Sequence, residues 1–220
     1  VTAPLPPTAF EALRAHLLEH AVRRGDFVLK SGRRSTWFID AKQTVCRPEA
    51  MLLVADAVLS VVPDDATAIG GLTMGADPVA FVTAGVAATR GRALKAFSVR
   101  KEDKDHGAGG RIAGALDPGD RVVVTEDTVT RGTSLLEAAR AVREAGAAPC
   151  LLVALVDRGG TVAAMAAAEG LAFRALLTAP DLGFPYEGGD GTGEGGDGVT
   201  GTNPGREQPG AGTGREQPVR

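Results

Sequence analysis

Residues 122–137 read Val-Val-Val-Thr-Glu-Asp-Thr-Val-Thr-Arg-Gly-Thr-Ser-Leu-Leu-Glu. An apolar strand runs into two adjacent carboxylates, Glu126 and Asp127, then a loop of hydroxyls and glycine, then a helix that starts near Thr133. Backbone amides in such a loop and at a helix start have no partner of their own and suit a phosphate. The hydroxyls of Thr130, Thr133 and Ser134 can add hydrogen bonds. Two carboxylates would repel that phosphate, so they serve another part of the ligand. The vicinal hydroxyls of a ribose fit, because a carboxylate accepts two hydrogen bonds from a diol. The simpler alternative is that the acids favour the positive end of the next helix and that Thr133 or Ser134 is an ordinary N-cap. A Walker loop is excluded, since Gly132 is followed by Thr-Ser and not by Lys.

A second cluster lies in residues 97–114, where Arg100, Lys101, Lys104, His106 and Arg111 are interleaved with Gly107, Gly109 and Gly110. Charge runs of this kind are usually solvated loops. Placed directly after a strand and loosened by glycine, this one suits a lid that folds over a polyanion.

These groups need a frame. Candidate strands at 67–70, 94–99, 121–125, 149–156 and near 172–177 alternate with helical patterns at about 77–90, 133–145 and 160–169. Arg121 to Thr125 is a continuous apolar run rather than an alternating one, as expected where helices cover both sheet faces. The fold class is therefore α/β, a parallel sheet with helices on both sides, and ligands are expected at the carboxyl ends of its strands. Ahead of it, Thr8 and Glu11 form a capping-box pattern before Phe10, Leu13, Leu17, Leu18 and Ala21, with Gly25 closing that helix. Residues 27–45 read as a small β-rich segment, and a further helix is predicted from Pro48 to Val62.

The chain has 220 residues, 44% apolar and 4% aromatic, with a net charge of -3. That is enough for one sizeable core. Up to residue 187 there are 21 Lys+Arg against 22 Asp+Glu, so nothing general favours nucleic acid or an anionic membrane. Residues 188–220 hold 12 glycines, no aromatic residue and a repeated Gly-Arg-Glu-Gln-Pro, which predicts a folded unit over 1–187 and a disordered Gly-rich tail over 188–220. Cys46 and Cys150 fit neither a disulfide framework nor a zinc array. No secretory signal or membrane span is expected, which suggests a cytoplasmic protein.

The 122–137 segment resembles the phosphoribosyl-diphosphate (PRPP) signature of type I phosphoribosyltransferases. The run Arg100-Lys101-x-x-Lys104-x-His106-Gly107 is similar, without a gap, to the catalytic loop of orotate phosphoribosyltransferases. Phe27 to Asp40, Ile69 to Ala80 and Val156-Asp157-Arg158 resemble that family's orotate-side motif, diphosphate-side loop and strand-end Asp-Arg. The resemblance covers about residues 8–186 in consistent order.

It implies the type I phosphoribosyltransferase fold, a central parallel sheet flanked by helices with a small N-terminal β-rich hood and a mobile lid. It implies transfer of ribose 5-phosphate from PRPP to orotate, with Mg2+ carried mainly by PRPP, in a homodimer whose lid acts across the interface. Lys30, Lys104 and His106 take the catalytic positions. Lys30, Arg100, Lys101, Lys104 and His106 meet PRPP, and Glu126, Asp127, Thr128, Val129, Thr130, Arg131, Gly132, Thr133 and Ser134 hold its ribose 5-phosphate. Lys30, Phe38, Ile39, Thr130 and Arg158 contact orotate. Ile39 replaces a frequent Phe, Met74 stands where some members carry a lysine, and Arg131 is bulky for its loop. The alternatives are a transferase for another base and a PRPP-fold regulator of pyrimidine or purine genes.

Overall fold

The structure, a computed structural model, describes residues 7–28, 32, 34–102 and 110–188. Lys30, Lys104, His106 and the tail from residue 189 onward lie outside the described residues.

The chain opens with α1 (Pro7–His16), which continues through a π-helical turn at Leu17–Ala21 into strand β1 (Val22–Val28). The helix ends earlier than the sequence pattern predicts. Thr8 already lies inside its first turn, and Gly25 belongs to β1, where the pairing with β2 (Arg34–Ile39) is irregular between Arg24 and Phe27. β1 and β2 form a separate antiparallel pair, the expected β-rich segment. A one-turn helix that the sequence reading did not anticipate, α2 (Lys42–Val45), leads into α3 (Pro48–Leu59), which starts on the expected proline.

The remaining elements are β3 (Ala68–Leu72), α4 (Ala76–Thr89), β4 (Lys95–Val99), β5 (Ile112–Gly114), β6 (Arg121–Val129), α5 (Thr133–Glu144), β7 (Ala148–Asp157), α6 (Val162–Ala168) and β8 (Phe173–Thr178). They build one six-stranded sheet in the order β5-β4-β3-β6-β7-β8, parallel except for the short edge strand β5, which pairs antiparallel with β4. β5 returns the far end of the cationic run to the sheet. Only three residues pair there, Ile112 to Gly114, too few to stand out in the sequence.

Successive valines of β6 explain its unbroken apolar pattern. Val123 packs in one core with α1, α3 and α4, while Val122 and Val124 pack in the other with α5 and α6. Alternating side chains thus enter two different cores. The order also creates a switch point. From β3 the chain winds outward through β4 and β5, then crosses to the other side of β3 to begin β6. The carboxyl ends of β3 and β6 thus meet where the winding reverses, the place at which sheets of this kind take their ligands.

β3 and β6 lie close together at that point because Gly71 has no side chain. A Cβ there would stand 2.2 Å from the Thr125 carbonyl oxygen and 2.6 Å from Ala76 Cβ. Gly71→Ala should destabilise the protein by about 1–3 kcal/mol, the range for forcing atoms into a packed interior. Urea unfolding of the two proteins checks it, and equal midpoints would show that the strands yield freely.

Candidate functional site

Glu126 and Asp127 sit at this switch point, 7% and 6% exposed. The sequence reading ends the strand at Thr125. β6 instead runs through Val129, so the acids belong to the strand itself and the loop shrinks to residues 130–132. Gly75, from the loop after β3, lies over them: a Cβ there would fall 1.8 Å from Glu126 Oε1 and 2.8 Å from Asp127 Oδ1. The Thr73–Met74 peptide in that loop is cis.

Two buried carboxylates at adjacent positions cannot ionise independently. Lys42 supplies one counter-charge, with Nζ 2.5 Å from Asp127 Oδ2. Burial alone would lower the pKa of this ammonium, but the hydrogen bond and charge of Asp127, with Asp40 and Glu126 behind it, raise it. Burial first, and then the Asp127 charge, push Glu126 from its ordinary 4.5 up to about 8. Lys42 escaped the sequence reading because 85 residues separate it from Asp127, and only the tertiary fold joins them.

The β6–α5 turn has the form of an anion cradle. Gly132 caps α5 with φ +74°, and a Cβ there would stand 2.9 Å from Val162 Cγ1. Val129 is buried, so only its backbone can face a ligand, whereas Thr133 and Arg131 are exposed and Thr130 and Ser134 half-buried. The hydroxyl of Thr128 is buried without a hydrogen-bond partner among the described residues. The loop after β7 is stitched to this turn. Arg158 N donates to the Val129 carbonyl at 2.8 Å and Thr161 Oγ1 to the Thr130 carbonyl at 3.1 Å, while Asp157 Oδ1 accepts from Gly159 N and Gly160 N.

Arg158 is buried above this junction. Its Nη2 donates to Ser35 Oγ at 2.9 Å and to the Trp37 carbonyl at 2.8 Å, and its guanidinium carbon lies 4.6 Å from the Trp37 ring centre. The same Nη2 lies 2.6 Å from Glu187 Oε2, a partner that sequence reading missed. Glu187 is held there because its own N–H donates to the Arg158 carbonyl, and Phe184 stacks on Trp37 at 4.3 Å. The chain after β8 thus straps the β1–β2 pair to the β7 loop.

The remaining predicted residues divide. Strand alternation sets Phe38 and Ile39 on opposite faces of β2: Phe38 is 40% exposed and lies against Phe27, while Ile39 is 6% exposed in the core. Sequence reading grouped the two together, but only Phe38 faces outward. Arg100 and Arg111 fix the described base of the cationic loop. Arg100 N donates to the Arg111 carbonyl at 2.7 Å, Arg111 Nε donates to the Arg100 carbonyl at 2.8 Å, and Arg111 pairs with Glu137 of α5. Lys101 is exposed.

No protein-family model matches the chain. It is 39% identical over 183 residues to the orotate phosphoribosyltransferase of Synechocystis sp., covering 82% of this chain and 91% of that one. With the Streptomyces avermitilis orotate phosphoribosyltransferase it shares 41% identity over 175 residues, 79% of this chain and 96% of that one. The crystal structure of Mycobacterium tuberculosis H37Rv orotate phosphoribosyltransferase in complex with PRPP superposes with a TM-score of 0.67 at 33% identity, covering 80% of this chain and 99% of that one.

The raised Glu126 pKa fixes a pH dependence. Below about 4.5 the carboxyl is neutral folded or unfolded; from there to about 8 only the unfolded chain ionises it. Stability should therefore fall across that window by up to about 1.4 kcal/mol per pH unit and level off above it. Glu126→Gln should lack this component, so its urea-unfolding advantage over the parent should grow between pH 5 and 8. Parallel curves would show that Glu126 ionises normally.

Proposed function

The chain belongs to the orotate phosphoribosyltransferase family, and from that membership we infer that it transfers ribose 5-phosphate from PRPP to N1 of orotate, releasing diphosphate and orotidine 5'-phosphate in pyrimidine biosynthesis. One observation carries the assignment of the site: a buried acidic pair at the switch point, beside a glycine-capped turn. The turn amides and the Thr130, Thr133 and Ser134 hydroxyls bind the 5-phosphate. Glu126 and Asp127 accept from the ribose hydroxyls, and the Asp127 carboxylate lies beside the ring that becomes cationic as diphosphate leaves. No protein nucleophile is needed, because positioning and charge stabilisation carry the reaction.

Lys104 and His106, with Arg100 and Lys101 from the base of the same loop, grip the departing diphosphate, and Lys30 stands between the two substrates. Asp127 is already neutralised by Lys42, and no third carboxylate or imidazole joins the acidic pair among the described residues. These residues suit Mg2+ that arrives on PRPP oxygens, and when bound the ion neutralises the leaving diphosphate. Membership of the family implies a homodimer whose lid acts across the interface. Leu52 of α3 and Phe81 of α4, 60% and 50% exposed, support a protein interface on those helices. The cysteines, both free, suit a cytoplasmic setting.

Arg158 receives the orotate carboxylate, for which a planar guanidinium is the better partner. Glu187 supplies that guanidinium with a carboxylate of the protein's own, so substrate binds by exchanging one for the other.

With PRPP and Mg2+ the purified protein should consume orotate, followed by ultraviolet absorbance; turnover of adenine or guanine instead would overturn the assignment. Lys104→Ala should lower turnover by about 3 kcal/mol of barrier while leaving thermal unfolding nearly unchanged. Glu187→Gln should lower the KM for orotate several-fold with a smaller change in kcat. An unchanged KM would mean that Glu187 does not compete.

A further inference from the structure

We propose that His16, His20 and Glu49 form a binding site for one borderline divalent transition metal of the Zn2+ class, at the junction of α1, α2 and α3. One potential ligand atom from each residue lies within 4.8 Å of the others. The two histidines are four residues apart, and the π-helical turn between them leaves their ring centres 4.4 Å apart. Glu49, in the first turn of α3, brings Oε1 to 3.8 Å from His16 Nε2.

His16 has the features of an oriented ligand. Its Nδ1 lies 3.2 Å from the hydroxyl of buried Thr44, leaving Nε2 to face His20 and Glu49. That Nε2 is itself buried and has no hydrogen-bond partner among the described residues. A metal-bound imidazole normally has its second nitrogen tied in this way, which fixes tautomer and ring orientation. Burying an imidazole nitrogen with nothing to bond is unfavourable, and a cation would satisfy it.

Zn–N and Zn–O distances near 2.1 Å in a tetrahedron put ligand atoms about 3.4 Å apart. The 3.8 Å gap between His16 and Glu49 needs only a small rotation of the Glu49 side chain, which is 53% exposed. His20, 26% exposed, can turn likewise, leaving the fourth position to water. Two neighbours compete for the ligands: Glu19 Oε1 stands 3.7 Å from His20 Nε2, and Arg47 Nη1 stands 4.0 Å from Glu49 Oε1. Both contacts are long and solvated, and such pairs contribute little. Two imidazoles and one carboxylate select Zn2+, Co2+ or Ni2+ over Mg2+, which prefers oxygen and retains its waters.

The test uses the full chain, stripped of metal with a chelator and titrated with Co2+ as a visible probe. One saturable equivalent should develop d–d absorption, be displaced by Zn2+, and persist in a large excess of Mg2+. His20→Ala and Glu49→Gln should each weaken Co2+ binding roughly tenfold or more, and Thr44→Val should weaken it while keeping one equivalent. Zn2+ should raise the thermal midpoint of the parent but not of His20→Ala. Because Glu49 is half exposed, Glu49→Gln keeps the test informative if a histidine variant folds poorly. Absence of saturable Co2+ binding, or equal affinity in Glu49→Gln, would overturn the proposal. Neither readout depends on orotate turnover, so the site and the transferase assignment stand or fall separately.

Discussion

Two carboxylates side by side on a buried strand must be relieved of charge before the fold can close over them, and the centre of this protein is arranged around that requirement. Desolvating a carboxylate is costly, and a second one beside it compounds the penalty. Here Asp127 receives the Lys42 ammonium and Glu126 holds its proton to about pH 8. The neighbouring backbone then leaves them just enough space, through Gly75 over the two acids and Gly71 against the Thr125 carbonyl. Exchange of either glycine for any other residue would press a side chain into the acids or drive β3 from β6. The close packing of the sheet and the chemistry of the switch point are thus one constraint.

The same logic governs Arg158. A guanidinium this buried needs several partners at once, and it draws them from two distant parts of the chain: Ser35 and Trp37 in β2, and Glu187 beyond β8. Trp37 lies between the cation and the stacked Phe184 ring. The small β1–β2 pair, too short to be stable alone, is held to the main sheet at least in part by this cation and its neighbours. Arg158 is therefore part of what keeps the β1–β2 pair in place.

Much of this was legible in the sequence where local pattern and tertiary role coincide. The continuous apolar runs of β6 and β7 announced a covered parallel sheet, and the glycine and hydroxyl residues after β6 marked the turn before α5. Boundaries failed where a polar residue was buried or a helix changed its winding. Glu126 to Val129 read as loop because acids are rare in a central strand, and Gly25 read as a helix stop although a π-helical turn had already delivered the chain to β1 at Val22. The ion pairs were invisible for a different reason. Lys42 with Asp127 and Arg158 with Glu187 join residues whose spacing carries no periodic signal, and α2 is only one turn long.

Taken together, the three buried charged groups at the carboxyl ends of β6 and β7 are balanced within the protein. Asp127 has Lys42, Glu126 has its proton, and Arg158 has Glu187. A ligand that merely added charge would leave one of these groups buried and unpaired, and truncation of buried charge pairs shows how expensive that is. One that brings a carboxylate to the guanidinium replaces Glu187 like for like, and a diol reaches the acids as a neutral donor that leaves the Lys42 pair intact. A ligand without a carboxylate has nothing to offer Arg158 in exchange for Glu187, so the pairing itself works against it.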